Sequence, residues 1–225
     1  MGVDIARNVA EVRERIASAC ARAGRKSDEI VLIAVAKTVD VARIRQAISA
    51  GIEHFGENYY QEAREKIQAV ESPVHWHFIG HLQKNKVRGV VPLFAWIHTV
   101  DDEELAEEID RRAQAMGKHQ RVLIEVNIAR EPQKFGAAPE QVLALAERIA
   151  ALPNVRLEGL MGMAPMVERA EEARPYFAEL RRLFERLPEA HRVHLSMGMT
   201  QDYEVAIEEG ATMVRIGTAI FGPRG

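Results

Sequence analysis

The sequence predicts an α/β fold: a single (β/α)8 barrel of the TIM type with an extra N-terminal helix. Three observations carry that reading. Apolar runs of strand length alternate with amphipathic runs of helix length, and the alternation repeats eight times in 225 residues. The strand-like runs are apolar nearly throughout, as parallel strands covered on both faces are. No linker, low-complexity stretch or charge block interrupts the series, so one domain over residues 1–225 is expected. A doubly wound open sheet is the alternative. It usually has fewer strands and a Gly-x-Gly-x-x-Gly turn after the first, which is missing here.

The elements follow in order. Residues 4–23 read as the leading helix, with Ile5, Val9, Val12, Ile16 and Ala19 on one stripe and Gly24 as its stop. The first strand is EIVLIAVAKT (29–38), followed by the helix VARIRQAISAG (41–51). EHFGEN (53–58) is a short strand and YYQEAREKIQAV (59–70) its helix. HWHFIGHL (75–82) is the third strand, and QKNKVRGVV (83–91) a short helix before Pro92. FAWIHTV (94–100) leads into DDEELAEEIDRRAQAMG (101–117), a helix with acids in its first turn and glycine at its end, an order that suits the helix dipole. RVLIEVNIA (121–129) and APEQVLALAERIAAL (138–152) form the fifth pair. VRLEGLMGMA (155–164) is followed by a helix over 168–187 with a break expected at Pro175. HRVHLSMGM (191–199) and TQDYEVAIEEG (200–210) form the seventh pair, and ATMVRIGTAIFG (211–222) closes the series as a strand.

Composition narrows the function. A net charge of −3 argues against a general nucleic-acid binder. No apolar stretch is long enough to span a membrane. The N-terminus mixes charges with small apolar residues and is not a secretory signal, and the opening Met-Gly has Ala6 where a myristoylation site has Ser or Thr. The single cysteine, Cys20, has no internal disulfide partner and reads as a core residue. A cytoplasmic monomer is the expectation.

Barrel active sites lie at the C-terminal ends of the strands, which turns scattered polar residues into one site. Strand 1 ends on Lys37, strand 2 on Gly56, Glu57 and Asn58, strand 3 on Gly80 and His81, and strand 5 on Asn127. Strands 7 and 8 end on SMGMT and RIGTA, where barrels often bind phosphate. Ser196, Thr200 and Thr218 offer hydroxyls there, and Gly198 and Gly217 let backbone N–H groups approach a ligand. For one glycine a loop turn is the simpler reading; two such motifs on adjacent strand ends favour phosphate.

Taken alone, Lys37 reads as a surface lysine just past its strand. Lysine is almost never fully buried without a partner, so an apolar run ending on one raises a second reading. Strand 8 closes against strand 1, which sets Lys37 beside the phosphate site. An amine next to a bound phosphate points to pyridoxal 5′-phosphate held as a Schiff base, aided by a desolvated, readily deprotonated amine. Arg215 shares a strand face with Gly217. It is either salt-bridged, with Glu158 or Glu125, or placed against the pyridine nitrogen. In the second case arginine keeps its proton, the nitrogen stays unprotonated and the ring is a weak electron sink. Transaminases and decarboxylases want a carboxylate there, so racemisation or simple holding of the cofactor fits better.

WHFIGHLQKNKV, FGENYYQE and SMGMTQDYEVAIEEGATMVRIGTAIFG closely resemble the pyridoxal phosphate homeostasis protein family, also called the proline synthase co-transcribed proteins. The resemblance runs from about Ile30 to Gly222. It implies a fold like the N-terminal barrel of alanine racemase. It also implies that Lys37 carries the cofactor, that Ser196, Gly217 and Thr218 hold its phosphate, that Arg215 faces the pyridine nitrogen and that Asn58 lies near the ring. The family regulates free cofactor and amino-acid and keto-acid balance, with no strong catalytic activity assigned, so the chain is expected not to be an enzyme and to have cofactor-lacking pyridoxal-phosphate enzymes as partners.

Three rivals remain. A pyridoxal-phosphate-dependent amino-acid racemase would use the same lysine. It needs an acid/base on each face of the substrate, and alanine racemase draws one from a second domain that the sequence, ending after strand 8, is expected to lack. Tyr59, Tyr60 and His81 are weak substitutes. A metal-dependent hydrolase would use His75 and His77, two apart on strand 3, but Asn127 and Arg215 stand where further ligands are wanted. A binding module would use the basic face of QKNKVR, which reads more simply as solvated surface.

Overall fold

The computed structural model describes residues 3–223, so the reading of the opening Met-Gly pair lies outside the described residues. The strands are β1 (Val31–Val35), β2 (His54–Glu57), β3 (His75–Phe78), β4 (Trp96–Val100), β5 (Gln120–Val126), β6 (Val155–Gly162), β7 (His194–Ser196) and β8 (Met213–Ile216). All pair in parallel in sequence order, and β8 returns to β1 to close the barrel. The expected (β/α)8 barrel is the architecture found.

The leading helix α1 (Ile5–Arg22) is started by Asp4, whose side chain accepts from the Arg7 N–H, and it buries the predicted stripe together with Cys20. The remaining helices are α2 (Val41–Ser49), α3 (Tyr60–Val70), α4 (Val87–Leu93), α5 (Glu103–Ala115), α6 (Val142–Ala150), α7 (Arg174–Glu185), α8 (Tyr203–Glu208) and α9 (Thr218–Phe221). Pro175 stands in the first turn of α7 behind a separate 3-10 turn, Ala170–Ala173, so the expected break is real.

Two expectations change. Pro92 sits inside the last turn of α4 rather than after it. The closing segment is not one strand: β8 stops at Ile216, and Gly217 turns the chain into the single helical turn of α9. Four residues are too few to show a helical period.

The apolar residues form two layers. Between strands and helices lies the main core, which includes Phe55, Phe94, Phe177 and Tyr203. Inside the barrel, Ile33, Trp96, Leu123, Met161 and Met213 pack against one another. The inner layer fills the lower barrel and leaves the polar residues above and around it.

Candidate functional site

Lys37 lies two residues beyond β1, in a tight turn, and is half-buried. The next residue, Thr38, has φ of 62°, a left-handed conformation that costs a threonine energy and persists only where its surroundings hold it. They do. Val39 N–H donates to the Ala36 carbonyl at 2.9 Å, and Ala36 N–H donates to Gly56 O at 2.9 Å. Thr38 N–H donates to Glu62 Oε1 at 2.6 Å. Lys66 Nζ, from α3, donates to Ala36 O at 2.6 Å and to Glu57 Oε1 at 2.8 Å. The Lys37 amine itself stands 5.3 Å from the centroid of the Tyr59 ring and has no hydrogen-bond or ion-pair partner among the described residues.

Beside that turn is the junction of β8 and α9. The register sets Ala34 opposite Ile216, and Val35 lies against Gly217, so Lys37 and Gly217 are neighbours across one edge, as expected. A Cβ on Gly217 would meet nothing nearer than Val35 Cβ at 3.4 Å, an ordinary contact. The protein's own packing does not require glycine there, whereas a ligand lying on the backbone would. The first N–H groups of α9 have no intrahelical acceptor, and Thr218 is exposed beside them. The other end of α9 is tied down: Asn8 donates to Ile220 O at 2.9 Å, and the Arg43 guanidinium reaches Phe221 O.

Gly198 has a different reason. Its φ is +90°, and a Cβ would lie 2.6 Å from Ala206 Cβ and 2.8 Å from Tyr203 Cα. It permits α8 to pack, where the sequence suggested approach to a ligand. The neighbouring Met199 N–H is taken by Asp202 Oδ1 at 2.7 Å.

Ser196 and Arg215 lie below the rim, at 0% and 4% exposure. Arg215 Nη1 donates to Ser196 Oγ at 2.6 Å and Nη2 to Gly162 O at 3.1 Å. A guanidinium carries five donor hydrogens, so donors remain. The salt bridge weighed for Arg215 is not formed: Glu158 instead accepts from Trp96 Nε1 at 2.8 Å and pairs with Arg121 and Arg156. Burial pulls Arg215 down to about 10. Glu125 faces it from β5 with Oε2 unpartnered, pushed up to about 7 by burial first and by Asp101 second, with Arg215 opposing. Asn58 is half-buried one residue past β2, on the strand next to Lys37. It rests on Gly80, where a Cβ would come within 2.2 Å of Asn58 O.

The site thus gathers Gly217 and Thr218 after β8, Lys37 after β1 and Asn58 after β2 on three adjacent strand ends of the rim, with Arg215 and Ser196 beneath. No group of three metal-ligating side chains occurs among the described residues. His77, one of the suspected ligands, is buried and bonded on both ring nitrogens to other histidines. Sequence reasoning missed Lys66 and His98, and named Glu57 only as a strand-end residue and Glu125 only as a possible salt-bridge partner of Arg215. Lys66 left a trace: with Ala63 and Val70 it occupies the buried stripe of α3, an odd place for lysine.

Residues 4–225 match the family described as alanine racemase, N-terminal domain. The chain is 46% identical over 220 residues to the pyridoxal phosphate homeostasis protein of Aquifex aeolicus, covering 96% of each chain. It is 44% identical to the protein of that name from Escherichia coli over 98% of this chain and 97% of the other. Among solved structures, PipY of Synechococcus elongatus with PLP bound is 35% identical with a TM-score of 0.85, covering 97% of this chain and all of the other. Alanine racemase of Clostridium difficile, 14% identical with a TM-score of 0.76, covers 58% of its own chain and shows the shared barrel alone. No described helix is long and apolar enough to cross a membrane.

Proposed function

We propose, starting from a chain that belongs to the pyridoxal phosphate homeostasis protein family, that it binds pyridoxal 5′-phosphate as a Schiff base on Lys37 and serves in cofactor homeostasis, acting indirectly on amino-acid and keto-acid balance. One observation carries the reading. Lys37, whose amine has no hydrogen-bond or ion-pair partner among the described residues, follows β1 at the edge shared with Gly217, where a side chain would meet only ordinary contacts, and Arg215 with donors to spare lies two residues before Gly217 on β8. When bound, the cofactor supplies an aldehyde that a primary amine can attack.

The chain's residues then divide the work. The backbone N–H groups at Gly217 and Thr218, with the Thr218 hydroxyl, hold the phosphate. Arg215 would be placed to donate toward the pyridine nitrogen, which would then stay unprotonated. Ser196, expected on the phosphate, is instead buried with its hydroxyl bonded to Arg215 and would serve by holding that guanidinium. Asn58, on the strand end next to Lys37, would lie near the ring. Lys66, Glu57 and Glu62 keep the Lys37 turn in place. One domain contains the whole site.

A non-catalytic role suits the side chains near Lys37. A two-base racemase needs a second proton donor across the substrate from the lysine. Tyr59 lies against Lys37 itself, on the same side. Tyr60 is packed on Gly89, and His81 is stacked on Phe135 at 3.6 Å. Its expected partners are the cofactor and enzymes that lack it.

The test is a near-ultraviolet and visible spectrum of the purified protein with added pyridoxal phosphate, beside Lys37→Ala. A band that borohydride removes, and that the variant lacks, supports the reading. No band in the wild type would sink it.

A further inference from the structure

Three histidines on adjacent strands join the floor of the barrel to Arg215. His54 opens β2, His77 is third in β3 and His98 third in β4. His54 Nδ1 lies 3.0 Å from His77 Nε2, and His77 Nδ1 lies 2.9 Å from His98 Nε2. His98 Nδ1 lies 3.1 Å from Ser196 Oγ, the oxygen to which Arg215 donates at 2.6 Å. His77 and His98 are fully buried, and His54 is half-buried at the N-terminal end of its strand.

Every link between rings joins an Nδ1 to an Nε2, so placing one proton places them all. Arginine only donates, so it occupies a lone pair of Ser196. If His98 carried its proton on Nδ1, Ser196 would accept twice and its own proton would have no partner among the described residues. If Ser196 donates to His98 instead, every buried donor and acceptor in the chain is matched. His98, His77 and His54 then all carry the proton on Nε2, and the last N–H points from His54 to the floor.

The rings are neutral. Burial holds His77 and His98 well below the usual histidine range, and each is pushed further by its neighbours: His98, His54, His75 and His194 around His77, and Arg215 and His194 around His98. Burial also takes His54 down to about 4, with His75 and His194 acting in the same direction and Glu53 opposing. Trp96 stacks on His77 at 4.7 Å and fixes its plane. In this arrangement each imidazole turns its lone-pair end toward Ser196. Three dipoles therefore align with their negative ends toward a guanidinium that forms no ion pair among the described residues, with the charges of Asp202 and Glu125 acting on it at longer range.

We propose that His98, His77 and His54 are positioning residues for Arg215, a one-way chain that fixes the Ser196 hydroxyl and complements the buried guanidinium with aligned dipoles where no ion pair is formed. Its use to the cofactor rests on the reading of Arg215 above.

The test has two arms. Nitrogen-15 NMR of the unliganded full-length chain with labelled histidine should find all three rings neutral and protonated on Nε2 down to about pH 5. A proton on Nδ1 of any of them would overturn the chain. In the second arm, His54→Leu removes the acceptor at the far end without touching the site, and His54→Gln keeps one in its side-chain oxygen. The leucine variant should bind pyridoxal phosphate about three- to tenfold more weakly, and the glutamine variant within about twofold of wild type. Binding of inorganic phosphate should stay within about twofold in both, which damage to the fold would not allow. Equal pyridoxal phosphate affinity in wild type and His54→Leu would overturn the positioning role. A wild type that binds no pyridoxal phosphate would sink the functional reading, while the tautomers would still decide whether the chain exists.

Discussion

The amine of Lys66 lies 2.6 Å from the carbonyl oxygen of Ala36, the residue before Lys37. A second lysine, from helix α3, thus sets the turn that presents the first. It is 7% exposed and bonded to Glu57, which is 0% exposed. Removing one member of a buried pair leaves the other uncompensated. Burial already raises Glu57 to about 7, with Lys66 pulling the other way, so protonation of the orphan softens the loss. Lys66→Met should cost about 2–4 kcal/mol in urea denaturation and weaken cofactor binding. A variant equal to wild type in both would remove Lys66 from the support of Lys37.

Gly217 and Gly198 should respond in opposite ways to alanine. At Gly217 the new Cβ meets Val35 at 3.4 Å, so stability should change by less than about 1 kcal/mol while pyridoxal phosphate affinity falls at least about tenfold. At Gly198, φ of +90° and a 2.6 Å approach to Ala206 should cost about 2–4 kcal/mol. Thr218→Val should also weaken cofactor binding. Thermal melts with and without cofactor separate the cases. Unchanged affinity in both Gly217→Ala and Thr218→Val would place the phosphate elsewhere.

Glu125 should make the wild type less stable as pH rises. Its folded value, about 7, lies above its ordinary value of 4.5, so the folded chain binds the extra proton between these values. Stability is then complete below about pH 4.5 and falls as pH climbs through about 7. Glu125→Gln lacks this loss and should gain up to about 3 kcal/mol on wild type between about pH 5 and about pH 8. The other raised acids, Asp101 and Asp202, are present in both proteins and cancel in the comparison. A pH-independent difference in urea midpoints would count against an ionisable, unpaired Glu125.

The cofactor-bound protein should interconvert D- and L-alanine, or D- and L-serine, no faster than free pyridoxal phosphate does. The reason is that Tyr59, Tyr60 and His81, the candidate second donors among the described residues, are each held against other side chains or Lys37 itself. Chiral chromatography of the product mixture measures it. Turnover that Lys37→Ala abolishes would make the chain a racemase.

The sequence by itself determined the strand and helix alternation, and with it the parallel barrel and its closure of β8 on β1. These follow from local periodicity and from one topological rule. It also placed Lys37, Gly217 and Thr218 at one rim, because strand ends can be counted along the chain. What the tertiary structure decided depends on which side chains meet. Arg215 forms no ion pair among the described residues: Glu158 is taken by Trp96, Arg121 and Arg156, and Glu125 faces Arg215 without pairing with it. Gly198 is glycine because of Ala206 and Tyr203, and not because of a ligand. His54, His77 and His98 lie more than twenty residues apart in steps along the chain, and only the register of three neighbouring strands brings their rings within hydrogen-bond reach. Periodicity reports which face a residue occupies. The distance between two residues on that face is set by strand tilt, register and closure, which no local stretch of sequence contains.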